Sequence, residues 1–184
     1  MYSYINNNLH CENVNISELY NEIGSSFYCY SSEILENQFT VISDAFKGKD
    51  CTVCYSLKAN SNQSIIRTFS LMGSGADVVS LGELKRALKE NIPTDKIVFS
   101  GVGKTTEEID YAINQEIMMI NVESIPELKK ISERASYLNK VAPISIRINP
   151  DIIAGDNEKI STGKKQDKFG INIEESLNAY ELAN

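Results

Sequence analysis

The stretch "KIVFSGVGKTTEEIDYAINQEIMMINVES", Lys96 to Ser124, holds one full period of the pattern that decides the fold. "KIVFSG" is a short β-branched and aromatic run ending in turn residues, "TTEEIDYAINQ" has helical composition and spacing, and "IMMINVES" returns to strand character. Thr105 followed by Glu108 fits the S/T-x-x-E capping box, in which side chain and backbone satisfy each other's free N–H groups at a helix start.

The same order extends in both directions. "TVCYSL" leads to "NSNQSIIRTFSLMG", "ADVVS" to "LGELKRALKEN", "IMMINVES" to "IPELKKISERASYLN", and "APISIRINPD" through a loop to "EESLNAYELAN". Ser80 with Glu83 and Ser124 with Glu127 repeat the capping box, and Ile125 and Pro126 then fall in a first helical turn, where proline costs little. Leu84, Ala87 and Leu88, and again Leu128, Ile131 and Ala135, form apolar stripes suited to packing on a sheet. Strands alternating with helices imply βαβ units and a parallel α/β sheet. The strand starts lie roughly 20 to 27 residues apart, which suits either a doubly wound sheet or a (β/α)8 barrel. A closed barrel usually needs ~250 residues. Five βα units fit into these 184 residues, so a barrel is expected to be incomplete.

Composition narrows the function classes. With 42% hydrophobic and 23% charged residues the chain is ordinary globular material. Its formal charge of −7 is spread without a basic block, which argues against nucleic acid and anionic membrane surfaces as partners. The start "MYSYINNNLHCEN" has no basic segment followed by an apolar one, and runs such as "IMMI" fall far short of the ~20 residues of a membrane span, so a cytoplasmic setting is expected. The cysteines are Cys11, Cys29, Cys51 and Cys54, and the one histidine is His10. "CTVC" has CxxC spacing inside a strand pattern, where residues three apart point to opposite faces, and no second CxxC or distant histidine completes a tetrahedron. No metal site is expected, and the cysteines read as buried and reduced.

Glycine-rich pieces do not make a nucleotide site. "GVGKT" would need glycine at Val98 to complete a P-loop, and "GSGAD" at Gly73 to Asp77 precedes a strand, lacks a third glycine and reads as a tight helix-to-strand turn. The segment "CTVCYSLKANSN", Cys51 to Asn62, puts Lys58 at the carboxyl end of a strand, the end where α/β folds gather their chemistry. Alternation places the small residues Cys54 and Ser56 on its face, leaving room for something bulky. A partly desolvated lysine there spends more time as the nucleophilic amine, whereas the plainer reading is an exposed strand-end lysine reaching into water.

The segment "YSLKANSN" resembles the pyridoxal-phosphate lysine segment of the alanine racemase-like barrel decarboxylases. "GADVVSLGEL", "IVFSGVGKT", "INVESIPEL", "IRINPD" and "ISTGKKQDKFGI", in that order, are similar to the diaminopimelate decarboxylase branch. The resemblance implies an incomplete (β/α)8 barrel over residues 31–184, with residues 1–30 forming an N-terminal segment with a short strand that goes with a separate β-domain. It implies pyridoxal 5′-phosphate as cofactor and an amino acid, meso-diaminopimelate, as the small-molecule substrate that loses carbon dioxide to give lysine. By the same resemblance Lys58 forms the internal imine, Asp77 is the acidic residue near that lysine and the ring, and Arg147 is the arginine facing the cofactor from across the barrel. Ser56 joins them as a pocket-lining residue through strand alternation. Asp77 and Arg147 also have plainer readings, as a turn aspartate and a strand arginine paired to a carboxylate.

The departures from the family pattern are Leu81 in "SLGEL", where the family has a second glycine, Asn91 in place of a helix-ending glycine, and Asp156 and Asn157 in place of Thr-His. Asparagine tolerates the left-handed position, so the second change is mild. The family's ring-stacking histidine, glycine-rich phosphate segment, glutamate on the pyridine nitrogen and β-domain cysteine do not occur in these residues. The expectation is therefore an amino-terminal part of such an enzyme, active with a complementary half or second subunit. The alternatives are a non-catalytic remnant that serves only as a binding partner, and another barrel decarboxylase or carrier of the same cofactor.

Overall fold

A computed structural model describes residues 1–152 and 169–183. At the amino terminus, β1 (Tyr2–Ile5), β2 (Asn8–Cys11) and β3 (Val14–Asn15) form an antiparallel sheet, followed by α1 (Ile16–Ile23). The sequence reading gave this region one short strand. Asn6 and Asn7, both at positive φ, make the two-residue turn between β1 and β2, as asparagine's tolerance of the left-handed region allows.

After α2 (Ser32–Ala45) the βα units begin. They comprise β4 (Cys54–Ser56), α3 (Gln63–Leu71), β5 (Gly75–Val78), α4 (Leu81–Lys89), β6 (Ile97–Phe99), α5 (Thr106–Gln115), β7 (Met119–Val122), α6 (Ile125–Tyr137) and β8 (Ile144–Ile146). All neighbouring pairs are parallel and the spatial order is β4-β5-β6-β7-β8, each strand beside its predecessor. A doubly wound sheet reverses its order at a switch point, and this one does not. The helices lie on one side only. Leu57, Ala76, Val78, Ile97, Phe99, Ile120, Val122 and Ile146 point toward them and are buried with Leu84, Ala87, Ile109, Ala112, Leu128 and Ile131. One-sided, sequential winding is barrel geometry.

The strand run does not stop at β8. Arg147 separates it from β9 (Ile148–Asn149), which pairs in parallel with β10 (Ile171–Asn172), and α7 (Ser176–Ala183) follows. Arg147 joins both neighbours, donating its N–H to Val122 O at 3.0 Å and accepting from Ile171 N at 2.8 Å. The sequence reading took "KFGI" as part of a loop motif. Two residues are too few for a period-two signal, so β10 was not legible. Residues 160–168 of "ISTGKKQDKFGI", with Asp156 and Asn157, lie outside the described residues.

The caps formed as expected, with one refinement. Thr105 and Glu108 make the complete box. Ser80 and Ser124 cap their helices at Glu83 N and Glu127 N, but the glutamates reach one residue further back, to Val79 N at 2.9 Å and Glu123 N at 2.7 Å. Leu81 sits in the first turn of α4 and needs no glycine freedom, and Asn91 adopts φ 61°, the left-handed position foreseen for it.

Candidate active site

The face of the sheet turned away from the helices carries short polar side chains instead of the branched aliphatics that usually fill a barrel in layers. Ser56 Oγ donates to Asp77 Oδ2 at 2.8 Å, and Ser100 Oγ donates to Asp77 Oδ1 at 2.5 Å. Ser100 accepts from Asn121 Nδ2 at 2.8 Å, and Asn121 Oδ1 accepts from Ser145 Oγ at 2.8 Å. The hydrogen bonds form one row across the sheet, in which donors from both sides converge on the Asp77 carboxylate. The row follows the register of a tilted sheet. Ser56 pairs with Asp77 and Asn121 with Ser145, but Asp77 pairs with Val98 while its hydrogen bond goes to Ser100, two residues on. That stagger is what a sheet closing into a barrel requires.

The loop holding Lys58 is pinned on both sides. Leu57 N donates to Asp77 O at 3.0 Å, Tyr55 Oη donates to Asn60 O at 3.0 Å, and Asn62 caps α3 through Ser64 N at 2.9 Å. Tyr55 stacks on Phe69 on the helix side, ring centroids 4.2 Å apart. Lys58 therefore stands just past the carboxyl end of β4, two residues beyond Ser56. Its side chain is exposed, and among the described residues it makes no hydrogen bond or ion pair. Of the two readings, the exposed strand-end lysine is the one seen here, not the partly desolvated one. Nothing among the described residues covers the inner face opposite β4.

Asp77 is the third residue of β5, not its entrance, and half-buried. Its carboxylate meets Ser56 and Ser100, not Lys58. Arg147 is engaged elsewhere: its NH1 donates to Glu123 Oε1 at 3.2 Å and Oε2 at 3.3 Å, and its guanidinium lies 4.8 Å from the Phe169 ring centroid. Glu123 also accepts from Gly101 N and Gly170 N, each at 3.1 Å. The structure thus joins Ser56 to Asp77 directly, sets Lys58 beside them without contact, and gives Arg147 a carboxylate partner.

Several residues here escaped the sequence reading. Ser100, Asn121 and Ser145 were discoverable by extending to the other strands the alternation applied to Ser56. Glu123 and Lys104 were not, because each was absorbed into a motif. Lys104, rejected with the P-loop, is a buried structural cation. Its Nζ donates to Gly101 O at 2.7 Å, Asn121 O at 2.8 Å and Glu127 Oε1 at 3.0 Å, so each ammonium proton has an acceptor. The cysteines also differ from expectation. Cys11 alone is buried, Cys29 and Cys54 are intermediate, and Cys51 is exposed. Burial, then the nearby Asp77 carboxylate and Cys51, push the Cys54 thiol above its ordinary pKa. Among the described residues, no group of three or more His, Cys, Asp or Glu is arranged to hold a metal ion, and no helix is long and apolar enough to cross a membrane.

Comparison with known proteins gives the setting for this geometry. The chain is 45% identical over 175 residues to diaminopimelate decarboxylase of Neisseria meningitidis serogroup B, covering 95% of this chain and 42% of that protein. It superposes on diaminopimelate decarboxylase from Helicobacter pylori complexed with L-lysine with a TM-score of 0.88 and 46% identity, over 91% of this chain and 42% of that one. The enzyme from M. jannaschii, also with L-lysine, gives a TM-score of 0.92 at 37% identity, over 100% of this chain and 44% of that one. The chain spans about two fifths of the length of these relatives. The family described as "Pyridoxal-dependent decarboxylase, pyridoxal binding domain" matches residues 31–184, and the chain belongs to that family.

Proposed function

We propose that these residues form the amino-terminal part of a pyridoxal-phosphate-dependent decarboxylase that converts meso-diaminopimelate to L-lysine and carbon dioxide, and that they act with a complementary portion of the protein. The observation that carries the reading is the polar inner face, Ser56–Asp77–Ser100–Asn121–Ser145, beside a strand-end lysine. A barrel interior of packed aliphatics has no polar groups for a charged, ring-bearing cofactor; this inner face carries hydroxyl, amide and carboxylate groups beside an exposed amine, and in that chemistry the residues present fit the group. When bound, the cofactor supplies the electron sink for the pair left behind as carbon dioxide departs.

The chain's own side chains take the remaining tasks. Lys58, exposed and unpaired among the described residues, is the amine that would hold the cofactor covalently. Asp77, fixed by two hydroxyl donors, offers one oriented carboxylate beside that amine. Arg147 brings the cation on the other side of the inner face, and Ser56 lines the floor. Residues 1–30 form a separate small unit beside the partial barrel of residues 31–184, in a protein working in the cytoplasm.

The exposure of Lys58 supports a second reading, in which these residues alone bind a partner portion and do not catalyse. An amine open to water lacks the enclosure that excludes solvent from a reacting centre. Carbon dioxide release from meso-diaminopimelate, ornithine and arginine, assayed with the complementary portion added and again without it, tests both. The proposal expects release from diaminopimelate only, only in the combined sample, and none with Lys58→Ala. Equal release from Lys58→Ala would remove Lys58 from the chemistry.

A further inference from the structure

Glu123 is a buried carboxylate that no family motif in the sequence singles out as functional. Its side chain is 2% exposed, yet its ion-pair partner Arg147 is 38% exposed. A charge so deeply buried is stable only when its lone pairs are met, and three donors meet them in four hydrogen bonds. Gly101 N and Arg147 NH1 reach Oε1, and Gly170 N and the same NH1 reach Oε2. These donors come from the loop after β6, the end of β8 and the approach to β10. Glu123 itself directly follows β7, and its own N–H is held by Glu127. The carboxylate is thus fixed from behind before it meets Arg147.

Among the described residues, only NH1 of the guanidinium is committed. Nε and NH2 make no hydrogen bond among the described residues, while the Phe169 ring lies against the group at 4.8 Å. We infer that Glu123 is a positioning residue: it holds Arg147 by one terminal nitrogen, against Phe169, so that the rest of the guanidinium edge is presented in a single orientation to an anionic group on the inner face. This rests on the reading of Arg147 as a cofactor-facing residue, and extends it to the residue that aims it. Gly101 serves the same arrangement. Its φ of 93° lies in the region that favours glycine, and its N–H reaches Glu123.

The test needs no cofactor, so it stands apart from the fate of the proposed function. An arginine-directed dicarbonyl, phenylglyoxal, is applied to the full chain and modification is followed residue by residue by mass spectrometry. Exposed Arg67 is one internal reference, and Arg134, doubly bonded to Asp110 at 2.7 and 2.8 Å, is the other. In the unaltered chain Arg147 should react more slowly than Arg67 despite its partial exposure. Glu123→Gln should raise the Arg147 rate about tenfold, the scale of a lost charge-assisted hydrogen bond, with Arg134 unchanged. Glu123→Asp, which keeps the charge, should return it toward the original rate. Three results would each overturn the inference: Arg147 reacting as fast as Arg67 in the unaltered chain, no change in Glu123→Gln, or Arg134 rising together with Arg147, which would report general loosening. Should Glu123→Gln not fold, the unaltered chain and Glu123→Asp decide the matter.

Discussion

Replacing Glu127 with alanine should cost a large share of the chain's stability. Lys104 Nζ is buried, with 2% side-chain exposure against 9% for Glu127, and Glu127 serves two groups at once. Its Oε1 meets Lys104 at 3.0 Å and its Oε2 accepts from Glu123 N at 2.7 Å. Glu127→Ala leaves a buried ammonium with two carbonyl acceptors, Gly101 O and Asn121 O, and a backbone N–H with no acceptor. Removing one partner of a buried pair costs ~3–5 kcal/mol. The two surviving carbonyl bonds place this case near the lower end, ~3 kcal/mol, against ~5–15 kcal/mol for a whole domain. Urea unfolding of the unaltered chain, Glu127→Ala, Lys104→Met and the double variant measures it. The double variant should be more stable than Glu127→Ala alone, because the uncompensated cation has gone. A loss under ~1 kcal/mol for Glu127→Ala, or a double variant that loses the sum of the two single changes, would refute the reasoning.

Other consequences follow from single residues. A Cβ at Gly75 would run into Lys96 O and lie 2.6 Å from Cys54 Sγ, so Gly75→Ala should lower stability by ~1–3 kcal/mol in the same urea assay. Cys51 is exposed, whereas Cys54 is half-buried with its thiol pKa raised by burial, so iodoacetamide near neutral pH should label Cys51 well ahead of Cys54 in the folded chain. Burial works against ionisation of Glu108, but bonds from Thr105 N, Leu81 N and Thr105 Oγ1 outweigh it and hold its pKa below the ordinary value. Its folded pKa lies below the unfolded one, so its contribution is whole above about pH 4.3 and is lost as pH falls through the depressed value. Glu108→Gln should flatten that acid-side slope in stability measured against pH.

The repeating strand, cap and helix units were legible because each carried its own signal. Ser80, Thr105 and Ser124 all cap helices, and the stripes Leu84–Ala87–Leu88 and Leu128–Ile131–Ala135 pack on the sheet as read. Barrel winding was not legible from spacing, because strand spacing is the same in both α/β architectures; sequential parallel pairing distinguishes them. At the site, alternation reached Ser56, and Asp77 joined it by a hydrogen bond. Extended to the next strand, alternation also puts Ser100 on the inner face, but not its bond to Asp77, since the stagger between β5 and β6 is a property of the sheet and not of either strand. Glu123 was hidden because a glutamate before a capping serine looks like a solvated helix start. One of the donors that meets its buried carboxylate, Gly170 N, is 47 residues away. Of the two readings of Lys58, partly desolvated or exposed at a strand end, the sequence could not choose, because enclosure depends on what covers the opposite side of the inner face.

Reduction with borohydride after incubation with pyridoxal phosphate, followed by peptide mass mapping, tests the central claim most directly. The account predicts a stable adduct on Lys58 well above the level on exposed lysines such as Lys85 and Lys129, and its loss to that background level in Asp77→Ala and Arg147→Met. Labelling of Lys58 no greater than that of Lys85 and Lys129 in the folded chain would contradict it.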